Sequence, residues 1–511
     1  MRAKTIMIQG TGSSVGKSIL VAALCRIFKQ DGLAVAPYKS QNMSLNSFVT
    51  RDGGEMGRAQ VVQAEAAGIE PSVDMNPILL KPEADTRSQV VVLGKPTMTI
   101  PAGEYYLHTP ELLSIARESL NRIRANYDLV IIEGAGSPAE INLKHSEIVN
   151  MRIAKMAQAP VLLVGDIDKG GVFASLVGTL ALLDQEEQAY IRGFIINKFR
   201  GDISLLKPGL DQLEELTSLP VIGVVPYYHD IFIDEEDSVR YQGHSSVSSD
   251  IDVAVIYLPH ISNSTDFEPL QQEDGVRVRY VRRLEELGNP DAIIVPGSKS
   301  TVSDLSQIRE TGLANGIVQQ AQSGIPVVGI CGGFQMLGMR IDDPEHAESE
   351  QDSVQGLGLL DIVTAFKSDK TTWQVRAQTL VRDGIFANMG NEEIIGYEIH
   401  MGQTRLGDHA SPAFRIIQRG TQPIDHFDGA MTDSGTIVGT YIHGLFDNSC
   451  VRHAFLANIQ QRNGIRIAMR QTMAPKNEQY DRLAEHVRSS INLDLIREIC
   501  NIRYDRRKTG R

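Results

Sequence analysis

Two short segments of this chain combine residue types and spacings suited to covalent chemistry. In the first, Gly10-Thr-Gly-Ser-Ser-Val-Gly-Lys-Ser18, glycines precede a Lys-Ser pair between an apolar run and a helix-forming stretch with Ile19, Leu20, Ala23, Leu24 and Ile27. Glycines let backbone N–H groups turn toward phosphates, Lys17 can reach the β- and γ-phosphates, and the Ser18 hydroxyl can ligate Mg²⁺. This predicts an ATP-binding loop built from Gly10, Thr11, Gly12, Gly16, Lys17 and Ser18. The strict spacing would put glycine at position 11, so the loop is a variant. Partition-type ATPases carry an extra lysine where this chain has Gly12, which disfavours that class.

The second segment, Ile325-Pro-Val-Val-Gly-Ile-Cys-Gly-Gly-Phe-Gln-Met-Leu-Gly338, reads as a buried strand, a tight turn and a helix start. A cysteine at the tip of such an elbow is a candidate nucleophile, held beside backbone N–H groups that favour a thiolate and an oxyanion. Cys331 needs a base, and His443, ending the run Ile437 to His443 just before Gly444, is the first candidate, with His400 as rival. Glu398 lies near His400 in sequence and is a candidate supporting group.

Acids at the carboxyl ends of buried strands meet ligands in parallel sheets. Glu133, closing Leu129-Val-Ile-Ile, is therefore a Mg²⁺ candidate, and Asp52 is a second one or a plain loop carboxylate. Asn197, ending the Gly193 to Ile196 run, could read the nucleotide base or simply form a turn.

The elements that must position these residues alternate between apolar strands and helices. Thr5 to Gln9, Leu33 to Tyr38, Val90 to Leu93, Leu129 to Ile132, Val161 to Val164, Gly193 to Ile196 and Val221 to Val225 predict a parallel sheet covered on both faces. A helix is expected from Thr109, with Pro110 at its first position. After a polar stretch the alternation resumes with Val253 to Leu258, Val276 to Val281, Ala292 to Val295 and Val327 to Ile330, and with a helix over 302–323. The fold class is thus α/β in two domains: 1–235 for ATP, a linker at 236–250 and 251–455 around Cys331, followed by a helical extension at 456–511. Leu483, Val487, Ile491 and Leu495 predict one amphipathic helix there, and Arg503 to Arg511 a solvated tail.

Composition sets the outer limits. At 511 residues the chain is too long for one small domain, and 42% hydrophobic with 22% charged residues is ordinary globular material. Against 63 Asp and Glu there are 50 Lys and Arg, a net charge of -13, so no global basic field exists to gather nucleic acid. The four cysteines lack metal-binding or disulfide spacing, and no run predicts a membrane span or signal peptide. A cytoplasmic enzyme is expected, without nucleic acid or membrane partners. The residues leave its oligomeric state open.

The elbow from Gly329 to Gly338 resembles the glutaminase site of class I glutamine amidotransferases, and the first half resembles the ATP-binding domain of dethiobiotin synthetases. The combination resembles the cobyric acid synthase family over roughly residues 4 to 455, through Gln41 to Ser47, Gly54 to Gln60, Met75 to Pro82, Gly165 to Gly171, Pro296 to Thr301 and Tyr441 to Phe446. The resemblance implies that Cys331 attacks glutamine to release ammonia, with His443 moving the proton, Gly297 and Gly332 holding the oxyanion and Gln335 in the glutamine site. It implies that ATP and Mg²⁺ activate the b, d, e and g carboxylates of a corrinoid, adenosylcobyrinic acid a,c-diamide, as acyl phosphates that ammonia converts to amides. Lys39, Asn42 and Arg58 lie in family-specific segments and are candidates for meeting substrate. Many class I members carry glutamate two residues after the histidine. Leu445 stands there, which leaves open what orients His443. The related cobyrinic acid a,c-diamide synthases and a non-catalytic ATP-dependent switch are the alternative readings.

Overall fold

A computed structural model describes residues 2–84, 87–101, 103–228, 250–390, 392–464 and 475–502. The expected linker, apart from its last residue, and the basic tail from Arg503 lie outside the described residues. The chain divides into two compact units.

The first unit is built on six parallel strands in the spatial order Val221–Pro226, Ile191–Phe199, Val161–Asp166, Lys4–Gly10, Leu129–Glu133 and Val35–Tyr38. Central members such as Leu129–Glu133 are buried along their whole length, which explains their unbroken apolar sequence. Gly10, Glu133, Asp166 and Asn197 all fall at or near the carboxyl ends of these strands, where ligands bind in open parallel sheets.

The run Val90 to Leu93 was expected in this sheet but belongs to another. Strand Arg87–Val92 lies between Ile78–Ala84 and Lys95–Pro101, antiparallel to both, with Gln41–Met43 alongside. Parallel neighbours need a crossover of a dozen or more residues. Here Leu93 and Gly94, at φ 46° and 78°, form a two-residue hairpin turn instead. The helix Thr109–Asn126 starts with Pro110 in its first turn and buries Leu112, Ala116, Leu120 and Ile123.

The second unit contains a mostly parallel sheet in the order Val276–Val281, Ile251–Ile256, Ala292–Val295, Val327–Ile330, Ile437–Thr440 and antiparallel Ala430–Met431. A second sheet is dominated by two long antiparallel strands, Ile362–Thr379 and Ile394–Leu406. The single helix expected over 302–323 is two, Thr301–Glu310 and Leu313–Gln322, because Gly312 adopts φ 77° between them.

The unit boundaries differ from the expected domains at two places. Residues 45–55 belong to the second unit, where Val49 is fully buried and clusters with Phe48, Tyr397 and Ile399. The C-terminal extension is divided. Residues 456–463 finish helix Ser449–Asn463, which buries Phe455, Leu456 and Ile459 in the second unit. Helix Lys476–Arg488 joins the first unit, burying Tyr480, Leu483, Ala484 and Val487, with Asp481 at 2.7 Å from Arg26. The amphipathic spacing through Leu495 spans a break, because Asn492 caps a separate helix, Leu493–Ile499.

Candidate functional site

The phosphate loop connects Lys4–Gly10 to the helix Lys17–Gln30. Gly16 adopts φ 97°, and a side chain there would collide with Asn197 Nδ2 at 2.1 Å. Asn197 donates through Nδ2 to the Val15 carbonyl at 2.8 Å, so its amide braces the loop. Lys198 donates to the Ser14 carbonyl at 2.6 Å and pairs with Asp166 at 3.0 Å. Thr11 donates its amide to Val164 at 2.9 Å, and the space beside Gly12 is open. Lys17 is buried and donates to the Gly12 and Gly136 carbonyls at 2.8 and 3.2 Å, which draws its ammonium across the loop.

Glu133 gathers the rest of this site. Its Oε1 accepts from Ser18 Oγ at 2.7 Å and from Lys39 Nζ at 3.0 Å, and its Oε2 from Gln63 and Gln60. Burial alone would push this carboxyl up. The Lys39 ammonium and the donated hydrogen bonds outweigh burial and hold it below the ordinary carboxylate range. Hydrogen bonds to charged groups contribute about 1.5–3 kcal/mol each, so several together offset a desolvation cost of several kcal/mol. Asn42 reaches the same network by donating to Gln60 Oε1 at 2.9 Å. Arg58 is buried at the start of helix Arg58–Ala67, which also carries Gln60 and Gln63. Gln60 closes a segment singled out in the sequence, whereas Gln63 carried no signal beyond its spacing from Gln60.

One buried carboxylate beside a hydroxyl at a phosphate loop fits Mg²⁺, which takes few protein ligands and completes its shell with phosphates and water. Ser18 and Glu133 are the residues placed to hold it. Asp52 belongs to the second unit, where it accepts from Thr50 Oγ1 in the turn Thr50 to Gly54.

In the second unit Cys331 sits between strand Val327–Ile330 and helix Gly332–Leu337, at φ 51° and ψ −107°. Such backbone strain costs about 1–3 kcal/mol and persists only where the surroundings enforce it. Here they do: Cys331 donates its amide to the Thr440 carbonyl at 2.8 Å, and a Cβ at Gly333 would lie 1.9 Å from the Val295 carbonyl oxygen. That close approach explains the glycine two residues after the cysteine. Gly332 faces Ser298 and Thr301 on the opposite wall. Gln335 is buried beneath, accepting from Thr301 Oγ1 and donating to Tyr441 Oη, each at 3.3 Å.

His443 lies in the short strand Ile442–His443, which leaves the first sheet and pairs with Tyr397 and Glu398 of the second. Its ring is fully buried and stacks on Tyr397 at 5.3 Å, and a Cβ at Gly297 would come within 3.1 Å of its Cε1. Gly297 therefore admits the imidazole to the elbow. Nδ1 lies 2.7 Å from Asp266 Oδ2, while the buried Nε2 makes no hydrogen bond. Burial would lower the ring's proton affinity, but Asp266 and Cys331 together lift it to about 10. The structure thus brings Cys331, His443, Gly297, Gly332 and Gln335 together and adds Asp266.

The rival and its companion are occupied elsewhere. Glu398 is chelated by Arg419 at 2.8 and 3.0 Å, so it does not orient His443. His400 stacks on Tyr441 at 3.8 Å and shares Nδ1 with the Gly402 carbonyl at 2.8 Å. Asp266 follows Asn263-Ser-Thr just past the strand Ile251–Ile256. A polar run at the carboxyl end of a parallel strand was the one signal available for it.

The thiols differ in a measurable way. Burial pushes Cys25 and Cys500 up, the latter to about 12, and also raises Cys450, whereas Cys331 has the His443 imidazole beside it. Brief treatment with iodoacetamide at pH 7, followed by peptide mapping, is expected to label Cys331 before the other three. Equal labelling of Cys450 would contradict that assignment.

Comparison with known proteins follows the same division. Residues 6–239 match the CobQ/CobB/MinD/ParA nucleotide binding domain, and 252–451 the CobB/CobQ-like glutamine amidotransferase domain. The chain is 56% identical over 502 residues to cobyric acid synthase of Dehalococcoides mccartyi strain CBDB1, covering 98% of this chain and 99% of that one. It is 51% identical to cobyric acid synthase of Sorangium cellulosum, over 99% of this chain and 100% of that one. A solved glutamine amidotransferase is 19% identical over 40% of this chain and 98% of its own, with a TM-score of 0.30. With family models matching both halves and relatives matching from end to end, the chain belongs to the cobyric acid synthase family.

Proposed function

We propose that this chain converts the b, d, e and g carboxylates of adenosylcobyrinic acid a,c-diamide to amides, using glutamine nitrogen and one ATP per amide. Family membership carries the coarser statement, ATP-dependent and glutamine-hydrolysing amidation of a corrinoid in cobalamin biosynthesis. The observation that supports the finer reading is the end-to-end similarity to cobyric acid synthases, 56% identity over 98% of this chain, while the thiol–imidazole elbow and the lysine–serine–glutamate phosphate site supply the two chemistries that amidation needs.

At the elbow, the Cys331 thiolate attacks the side-chain carbonyl of glutamine, and the oxyanion points toward N–H groups near Gly297 and Gly332. Protonated His443 gives its proton to the departing ammonia. Water, deprotonated by His443, then cleaves the thioester to glutamate and regenerates the thiol. At the phosphate loop a substrate carboxylate oxygen attacks the γ-phosphorus of ATP, releasing ADP and leaving an acyl phosphate. Lys17 lies across the loop to stabilise charge during that transfer. Mg²⁺ held by Ser18 and Glu133 would compensate phosphate charge. Ammonia then attacks the acyl carbon, and inorganic phosphate leaves as the amide forms.

The test is mass spectrometry of the corrinoid after incubation with ATP, Mg²⁺ and glutamine. Four carboxyl-to-amide conversions are expected. Conversion of cobyrinic acid itself at two positions, with the a,c-diamide left untouched, would show a different substrate within the same chemistry.

A further inference from the structure

The unsolved element of the glutaminase site is what keeps His443 aimed, since Leu445 replaces the glutamate that many class I members use. Asp266 is pinned at both oxygens: Oδ2 meets His443 Nδ1 at 2.7 Å, and Oδ1 accepts from the Gly444 amide at 2.9 Å. A carboxylate can only accept, so Nδ1 must carry the proton, and in the neutral ring Nε2 is left as the basic nitrogen. Asn263 Nδ2 also approaches Nδ1, at 3.3 Å, but the shorter contact belongs to Asp266. The Asn263 amide cannot turn over freely, because its Oδ1 accepts from the Ser47 backbone N–H at 2.9 Å.

Asp266 and Asn263 share one tight turn, Ser264–Phe267, entered through Asn263 at φ 53°. This turn is capped from far away in sequence. Asn46 Oδ1 accepts from the Ser264 backbone N–H at 2.9 Å and from Ser264 Oγ at 3.3 Å. Tyr397, which stacks on the His443 ring, donates its hydroxyl to the Ser47 carbonyl at 3.1 Å. Residues 46 and 47 thus brace the turn beneath the imidazole and the aromatic ring beside it. They precede the 252–451 glutamine amidotransferase match by some two hundred residues, yet they belong to the same compact unit.

We propose that Asp266 is the positioning residue that completes the Cys331–His443 pair, and that Asn46 is a part of the glutaminase site supplied by the N-terminal half of the sequence, holding the Asp266 turn in place. The inference rests on the glutaminase reading of Cys331 given above. Among the described residues the titratable groups against the His443 ring are Asp266, Cys331 and Tyr397. Asp266→Asn therefore removes the charge that favours imidazolium while keeping the shape of the side chain.

The experiment uses the full-length chain and reads glutamate release and the pH dependence of Cys331 alkylation by iodoacetamide. Asp266→Asn is expected to lower kcat for glutamine hydrolysis on the order of 10⁴-fold, the loss produced by the matching change in a serine protease triad. KM should change little, and the alkylation midpoint should move to higher pH. Asn46→Ala is expected to lower kcat by up to about 10²-fold, as a 1 Å misplacement of a catalytic group does, with the midpoint shifted in the same direction. Asp266→Glu, which keeps the charge, should recover part of the alkylation profile. A wild-type chain that released no glutamate would overturn the glutaminase reading itself. Wild-type hydrolysis with kcat and alkylation midpoint unchanged in Asp266→Asn would overturn only the positioning role. Should Asp266→Asn fail to fold, an unaltered alkylation profile in Asn46→Ala would decide against the proposal.

Discussion

Cys331→Ala is expected to lower glutamine-dependent amide formation by roughly 10⁴-fold or more while leaving ammonium-dependent amide formation in place, because catalytic groups acting as a unit fail together. The substitution is structurally mild. Cys331 already occupies a positive-φ position at the elbow, so alanine meets the same backbone strain, and the thiol approaches the Ile399 carbonyl no closer than 3.6 Å. What disappears is the atom that forms the thioester. His443 retains Asp266 but has nothing to activate. Measuring corrinoid amides with either nitrogen source separates the two halves of the reaction. Equal loss with ammonium would mean that the elbow supplies more than nitrogen. Persistence with glutamine would mean that another group hydrolyses it.

The parts of the site legible in the sequence are those whose geometry is set within about ten residues. The phosphate loop and the cysteine elbow each consist of a strand, a turn and a helix start, and close contacts such as Gly333 against the Val295 carbonyl are written into the local spacing. Glu133 was readable because the end of a buried parallel strand is a position defined by pattern alone. Asp266 was not, because its partner lies 177 residues away and nothing in an Asn-Ser-Thr-Asp run distinguishes a relay from a turn. Asn46 was harder still. Its segment reads as a loop of the first half, and only long-range contacts, Gln374 to the Val49 carbonyl and Lys370 to Glu55, assign it to the second unit. The two long strands of the second sheet escaped for a similar reason. Their alternation carries polar and charged residues on the exposed face, so no continuous apolar run announces them.

Lys17→Ala is expected to lower amide formation on the order of 10²–10³-fold with ammonium as well as with glutamine, the opposite pattern to the cysteine variant. Lys17 is the loop's own cation, buried, and bridging the Gly12 and Gly136 carbonyls. Lys39 cannot substitute for it, since its ammonium is held by Glu133 at 3.0 Å. Removing Lys17 leaves two carbonyls without that donor, a cost of about 1–3 kcal/mol each where water cannot reach them. A thermal melt therefore accompanies the assay to show that the chain remains folded. Charge develops on the phosphate oxygens whichever nitrogen later attacks, so a donor lost at the loop slows carboxylate activation before ammonia is needed. Ammonium-dependent amidation at the wild-type rate in a folded Lys17→Ala chain would place activation outside this loop. The same loss with both nitrogen sources, beside a Cys331 variant that responds to ammonium, assigns activation to the Lys17 loop and nitrogen release to the Cys331 elbow.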